Sequence, residues 1–301
     1  MDKYLDSGRG VTIGNNCVFG KTRPTSNQGL IKFGDYTTIH DNCQFYISDE
    51  HFITGDYCTF HKNILATGYK SCDIGHNVWF GQNSIINSTD SLKIGNNCGF
   101  GAYSKIWTHA AWGDVVEGCR LLVGVPDMDC KSGAITIGDD FWGVGSITIS
   151  PGVTIGNKVI ALTNSLITKD VPDNTVVAGT PAKPVSIDGD VSAYKKLNSD
   201  EKYQLMKKFS ADFAKINKRS IDYDDEMKKI SINDGPSANK RQLIINCSEV
   251  SIEKDTDAQG YGHPESTFFD VLKRTYTKKH NELEVEFMKF LMDYKIRFTP
   301  E

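Results

Sequence analysis

Ile137-Gly138-Asp139-Asp140-Phe141-Trp142 opens the stretch that decides the fold, and Ile155-Gly156-Asn157-Lys158-Val159 repeats its beginning 18 residues later. Inside this stretch runs a finer period of six, through Ile137, Gly143, Ile149, Ile155, Ala161 and Ile167. The same unit recurs upstream as Ile94-Gly95-Asn96-Asn97-Cys98, Ile74-Gly75-His76-Asn77-Val78, Thr54-Gly55-Asp56-Tyr57-Cys58, Phe33-Gly34-Asp35-Tyr36-Thr37 and Ile13-Gly14-Asn15-Asn16-Cys17. The first residues of successive units are 20, 21, 20, 20, 43 and 18 apart. Three sixes make eighteen, so the chain advances in triplets of hexads with small insertions at some corners.

This pattern predicts a parallel β-solenoid. One apolar residue per hexad points inward and stacks on its copy in the next coil, and Gly or a small residue follows where the chain turns. Asn and Asp suit the corners because they tolerate left-handed backbone and hydrogen-bond locally. Each coil buries its face only against its neighbours. Cys17, Cys58 and Cys98 share one repeat position with Thr37 and read as a ladder of small buried side chains. His40 and His61 likewise share a position. The single long spacing contains residues 110–134, a surface loop ejected from a rigid scaffold.

The repeat stops at Asp170-Val171-Pro172-Asp173-Asn174 and Ala178-Gly179-Thr180-Pro181-Ala182-Lys183-Pro184. Residues 1–186 are expected to form the solenoid and 187–301 a small α/β appendage of unknown role. In the appendage, 199–218 reads as an amphipathic helix with Tyr203, Met206, Phe209, Phe213 and Ile216 on one face and Ser199 as N-cap. Gln242–Ile245 reads as a strand, 231–240 as a loop, and 281–294 as a second helix.

Of 301 residues, 39% are apolar and 24% charged, with 34 basic and 38 acidic side chains. Residues 1–188 hold 14 basic and 18 acidic residues and the remainder 20 of each, so neither half is a basic nucleic-acid-binding domain. No apolar run approaches the ~20 residues that span a bilayer. The polar start Met1-Asp2-Lys3-Tyr4 is no secretory signal, and the eight cysteines form no Cys-x-x-Cys pair. A reduced, cytoplasmic chain is expected.

From residue 10 to 185 the sequence resembles the hexapeptide-repeat acyltransferases. The resemblance is most specific over Ile137–Val185, which joins the hexads to the Thr-Lys-Asp-Val-Pro and Ala-Gly-Thr-Pro-Ala-Lys-Pro-Val ending. By pattern it is similar to galactoside and xenobiotic acetyltransferases and to sialic acid O-acetyltransferases. The resemblance implies a left-handed parallel β-helix, a homotrimer with active sites between adjacent subunits, acetyl-CoA as acyl donor and no metal. The implied reaction is O-acetylation of a carbohydrate, such as a bacterial surface glycan. The alternative is N-acetylation of a nucleotide-linked amino sugar.

Acyl transfer to a hydroxyl needs a base near neutral pKa, and imidazole suits it. His109 follows Ile106-Trp107-Thr108, where the hexads break into the long loop, and the resemblance places the catalytic His near such a break. Trp107 and Trp112 flank it and could stack on a sugar ring. Asp114 could orient His109 or the acceptor, or be a plain loop residue; Glu117, Asp127 and Asp129 would suit hydroxyl or amine recognition. Trp142 matches an active-site Trp of the sialic acid enzymes, yet Trp79 holds the equivalent place in an earlier hexad, so a repeat-position aromatic remains open. Against galactoside acetyltransferase, the ending puts Gly145, Thr163, Thr168, Lys169 and Lys183 at positions that contact CoA. Lys183 stands where relatives place a basic residue near the nucleotide phosphates; Lys in place of Arg keeps the charge but not the bidentate grip. Trp142-Gly143-Val144-Gly145 and Thr163-Asn164 depart from the commoner Trp-Ile-Gly and Ala-Gly. A γ-type carbonic anhydrase of this fold would need three zinc-binding His, and the loop beside His109 offers no second one. A non-enzymatic solenoid scaffold is the remaining alternative.

Overall fold

The computed structural model describes residues 4–109, 116–118, 133–190, 192–234, 241–249 and 266–301. The chain divides into two units, Met1–Lys195 and Lys196–Glu301.

The first unit winds through three parallel sheets in turn. The first sheet stacks seven strands, from Leu5–Ser7 and Leu30–Phe33 through His51–Thr54, Cys72–Ile74 and Leu92–Ile94 to Ile135–Ile137 and Thr154–Ile155. The second runs from Thr12–Ile13 to Val176–Ala178, and the antiparallel Lys183–Pro184 closes it. The third runs from Val18–Gly20 through Gln44–Ile47, Leu65–Gly68, Ile85–Ser88, Lys105–Ile106 and Thr148–Ile149 to Leu166–Ile167. This is the expected three-sided solenoid, consistent with a left-handed β-helix, and every hexad residue from Ile137 to Ile167 is buried in its interior.

The interior changes character along the axis. The early coils are filled by Phe33, Phe45, Phe52 and Phe60, which meet edge to face. Phe60, Phe80 and Phe100 then stack at 5.2 and 4.8 Å. Beyond Phe141 the apolar interior is Ile, Val and Ala. The Gly of each unit is needed because successive coils approach closely: a Cβ on Gly75 would sit 2.7 Å from the Gly95 carbonyl carbon and from Asn96 Oδ1.

Two repeat assignments are corrected. Ile13 pairs with Ile39, and it is Ser7 that pairs with Phe33, so the Ile13 unit lies in the second sheet and not in the first. Its 20-residue distance to Phe33 is coincidental, because the first coil is lengthened by residues 21–29. Cys17 consequently falls in the column of Cys43, while Thr37, Cys58 and Cys98 form another. The stacking of His40 on His61 holds, with ring centroids 4.6 Å apart.

In the second unit a six-stranded mixed sheet packs with helices α1 (Ser199–Ile216) and α2 (Glu282–Asp293). Phe287 of α2 meets Phe213 of α1 at 5.0 Å and Phe269 of the sheet at 5.4 Å. The N-cap of α1 is Asn198, not Ser199: its side chain accepts the Glu201 N–H while Glu201 caps in return, which satisfies two orphan donors at once. Ile216, expected on the buried face, is 66% exposed in the last turn. Part of the expected 231–240 loop is strand, Lys229–Asn233, paired with Gln242–Asn246.

Candidate functional site

The strand Lys105–Ile106 ends at the corner between the third and first sheets. Trp107 continues its pairing through a 3.0 Å bond from its N–H to the Ile149 carbonyl. Thr108 is wholly buried, and His109 follows half-buried. The indole of Trp107 stands edge-on to the His109 ring at 5.9 Å.

One coil back stands Asn87, 2% exposed, in the strand Ile85–Ser88. Its Oδ1 lies 2.9 Å from His109 Nδ1, 2.8 Å from Thr108 Oγ1 and 3.2 Å from the Thr89 backbone N–H. The Thr89 N–H can only donate, so the oxygen end of the amide faces this cluster. His109 Nδ1 must then carry the proton, which leaves the lone pair on Nε2. Burial also holds the His109 pKa below the ordinary value of 6.5. The arrangement supplies a neutral imidazole with a fixed tautomer and a basic Nε2. Beside it, Thr108 Oγ1 accepts the Asp90 N–H at 3.0 Å, and Asp90 Oδ1 accepts the Ser91 N–H at 2.6 Å. Asp90 Oδ2 is inaccessible and has no hydrogen-bond partner among the described residues.

The sequence did not single out Asn87. Its signal was an Asn in a strand otherwise reading Ile85-Ile86, a place where Asn is disfavoured.

The expected residues are spread over several places in one chain. Trp112 and Asp114 lie outside the described residues, as do Asp127 and Asp129. Glu117 is exposed. Trp142 belongs to the second sheet, in the column Trp79, Gly99, Trp142, where its ring occupies the space that a Cβ on Gly99 would take. It stands at a repeat position, on a different sheet from the strand that carries His109. Thr168 and Lys169 follow Leu166–Ile167 at the same corner as His109, two coils further on, and both are exposed. Gly145 and the exposed Thr163 instead lie at the corner between the second and third sheets, joined through the Asn164 N–H on the Gly145 carbonyl. Lys183, exposed, stands on the closing strand. Among the described residues no group of three His, Cys, Asp or Glu could hold a metal ion, and no helix is long and apolar enough to cross a membrane.

No family model matches the chain. It is 32% identical over 118 residues to a putative acetyltransferase of Saccharomyces cerevisiae, which covers 38% of this chain and 58% of that protein. It is 28% identical over 198 residues to the galactoside O-acetyltransferase of Lactococcus lactis, covering 60% of this chain and 79% of the relative. Among solved structures, the polysialic acid O-acetyltransferase OatWY aligns over 65% of this chain and 93% of its own at 17% identity, with a TM-score of 0.38. The first curated relatives are matched over 30–58% of their own length. The resemblance read from the repeats is borne out: the chain is similar in sequence to acetyltransferases, galactoside O-acetyltransferases among them.

Proposed function

We propose that this chain is an acetyl-CoA-dependent O-acetyltransferase of a carbohydrate, with His109 as general base. The observation that carries the reading is the Asn87–His109 pair. It fixes the proton on Nδ1 and presents a basic Nε2 beside an aromatic ring, at the corner where the 43-residue spacing interrupts the repeats. Nε2 takes the proton of the acceptor hydroxyl as the ester C–O bond forms, and returns it to the departing thiolate. Burial keeps the imidazole neutral, so it is ready to accept that proton near pH 7. Acetyl-CoA would supply an activated acyl group. Thr168 and Lys169 would meet it on the His109 corner, and Gly145, Thr163 and Lys183 elsewhere on the solenoid. A site drawn from more than one corner is completed when a second copy supplies the other side, which supports active sites between the subunits of a homotrimer. Trp107 offers an apolar face for a sugar ring. The similarity to galactoside O-acetyltransferases supports a sugar hydroxyl as acceptor.

The test is free-CoA release from acetyl-CoA across simple glycosides, acidic glycans and nucleotide-linked amino sugars. Release with a hydroxyl acceptor, lost in His109→Ala, is the expected result. Release confined to nucleotide-linked amino sugars would replace the reading with N-acetylation, and silence across the panel would reject both.

A further inference from the structure

A nine-residue loop stands at the His109 corner. Residues 21–29 leave the solenoid between the strands Val18–Gly20 and Leu30–Phe33, four coils before His109 but between the same two sheets. The loop is firmly held. The Thr22 N–H donates to Ser48 Oγ at 2.8 Å, and Thr22 Oγ1 lies 3.0 Å from the Tyr46 carbonyl and 3.1 Å from that of Gly68. Lys21 Nζ donates to the Pro24 and Ser26 carbonyls at 2.5 and 3.1 Å, and Gln28 Nε2 donates to the Gly20 and Ile47 carbonyls at 3.1 and 3.2 Å. The result is to set Arg23 over the ring of Tyr69, its Cζ 5.3 Å from the centroid.

Tyr69 occupies the corner place that Thr89 and then His109 occupy in the next two coils, since Gly68 pairs with Ser88 and Ile86 with Ile106. Adjacent strands lie about 4.8 Å apart, so Tyr69 stands ~10 Å from His109 along the corner, the span of about two pyranose rings. Among the described residues, three acids of this corner already accept hydrogen bonds. Glu50 takes Lys70 Nζ at 3.2 Å and the Ser71 N–H at 2.8 Å, Asp49 takes the Asn27 N–H at 3.3 Å, and Asp90 Oδ1 takes the Ser91 N–H. Arg23 is exposed and has no carboxylate partner among the described residues. A cation without a counter-ion among the described residues thus stands over an aromatic face, on a braced loop, two sugar lengths from the proposed base.

We propose that Arg23 and Tyr69 form a subsite for an anionic sugar of the acceptor glycan, about two rings from the one acetylated at His109. The Tyr69 ring would cover the C–H face of the sugar, and the guanidinium would bind its carboxylate or phosphate through paired N–H donors. This rests on the O-acetyltransferase reading and gives its substrate class, an acidic oligosaccharide.

Two measurements separate the subsite from the reaction. The first is calorimetric binding of lactose, 3′-sialyllactose and a lactose phosphate to the full chain without acetyl-CoA. An anionic probe is expected to bind about tenfold tighter than lactose, with a preference that fades as salt rises. Arg23→Ala should abolish the preference and Arg23→Lys should keep part of it. The bonds of Thr22, Lys21 and Gln28 hold the loop without Arg23, so the variant folds. A carboxylate or a phosphate source is told apart by which probe gains. Equal affinity for all three probes, or a preference that survives Arg23→Ala, overturns the subsite. The second measurement is CoA release with the same acceptors. Preferential binding without turnover sinks the acetyl-transfer reading and leaves the subsite standing; turnover without charge preference does the reverse.

Discussion

Two corners of the same solenoid follow opposite rules. Between the first and second sheets, every coil places the same bond. The N–H of Asp35 meets Asp56, that of Asp56 meets His76, and the ladder runs on through Asn96, Asp139 and Asn157 to Asp173, with donor–acceptor distances of 2.6–2.9 Å. The next residue of each coil is left-handed, with φ between 55° and 61° from Tyr36 to Asn174. Between the third and first sheets only Asp49, Gly118 and Gly152 have positive φ among the described residues, most side chains change from coil to coil, and the coils carry in turn a nine-residue loop, Glu50, Lys70, Asp90 and His109. Where turning demands a left-handed residue and a local acceptor, the sequence is bound to repeat. Where it does not, the chain is free to insert and to place chemistry.

The largest effect should come from the irregular corner. His109→Ala removes the proposed base, and a positioned base is worth roughly 10²–10⁴-fold. A fall of that size in steady-state CoA release, with the solenoid intact by circular dichroism, is expected; near-wild-type turnover would reject the assignment. Asn87→Ala frees the imidazole to take either tautomer and should lower kcat about 10–100-fold, with a smaller change in the KM for acetyl-CoA.

The pH profile sharpens the same point. Because burial lowers the His109 pKa, the base form persists into mild acid, and the acid limb of kcat/KM should fall below the ordinary histidine value of 6.5. Asn87→Asp sets a carboxylate against Nδ1–H. It favours the imidazolium and should move the limb upward. A limb that ignores this substitution would show that His109 is not the group being titrated.

The repeated corner should answer in stability instead. Asn96→Ala deprives the His76 N–H of its acceptor at 2.9 Å and should cost ~1 kcal/mol in urea denaturation. Turnover per folded molecule should hold. Loss of activity beyond the loss of folded chain would break the division of labour between the corners.

That division also explains what was legible. The hexads exposed the solenoid because one inward residue in six is a requirement of every coil. They misplaced Ile13, since the second-to-third-sheet corner asks for the same Gly-Asn-Asn turn: Asn16, Asn42, Asn63 and Asn83 are all left-handed there. His109 was visible as a break in the pattern and by resemblance. Asn87 was not, because its tie to His109 spans 22 residues and exists only once two coils stack. The N-cap Asn198 was written in the chain as Asn-x-x-Glu, and Ser199 was the weaker reading of it.

His76 gives the smallest and most discriminating test. It is the one imidazole in a ladder of Asp and Asn, and it fits because Nδ1 accepts the Asp56 N–H at 2.9 Å just as a carboxylate or amide oxygen would. If the ladder needs only an acceptor at this place, His76→Asn should change stability by less than ~0.5 kcal/mol. His76→Leu, which has no acceptor, should cost about 1–3 kcal/mol by stranding that N–H. Both are read from urea midpoints. Equal losses in the two variants would mean that the ring itself, through its packing, is what the corner requires. The repeat would then tolerate His76 for its shape and not for its lone pair.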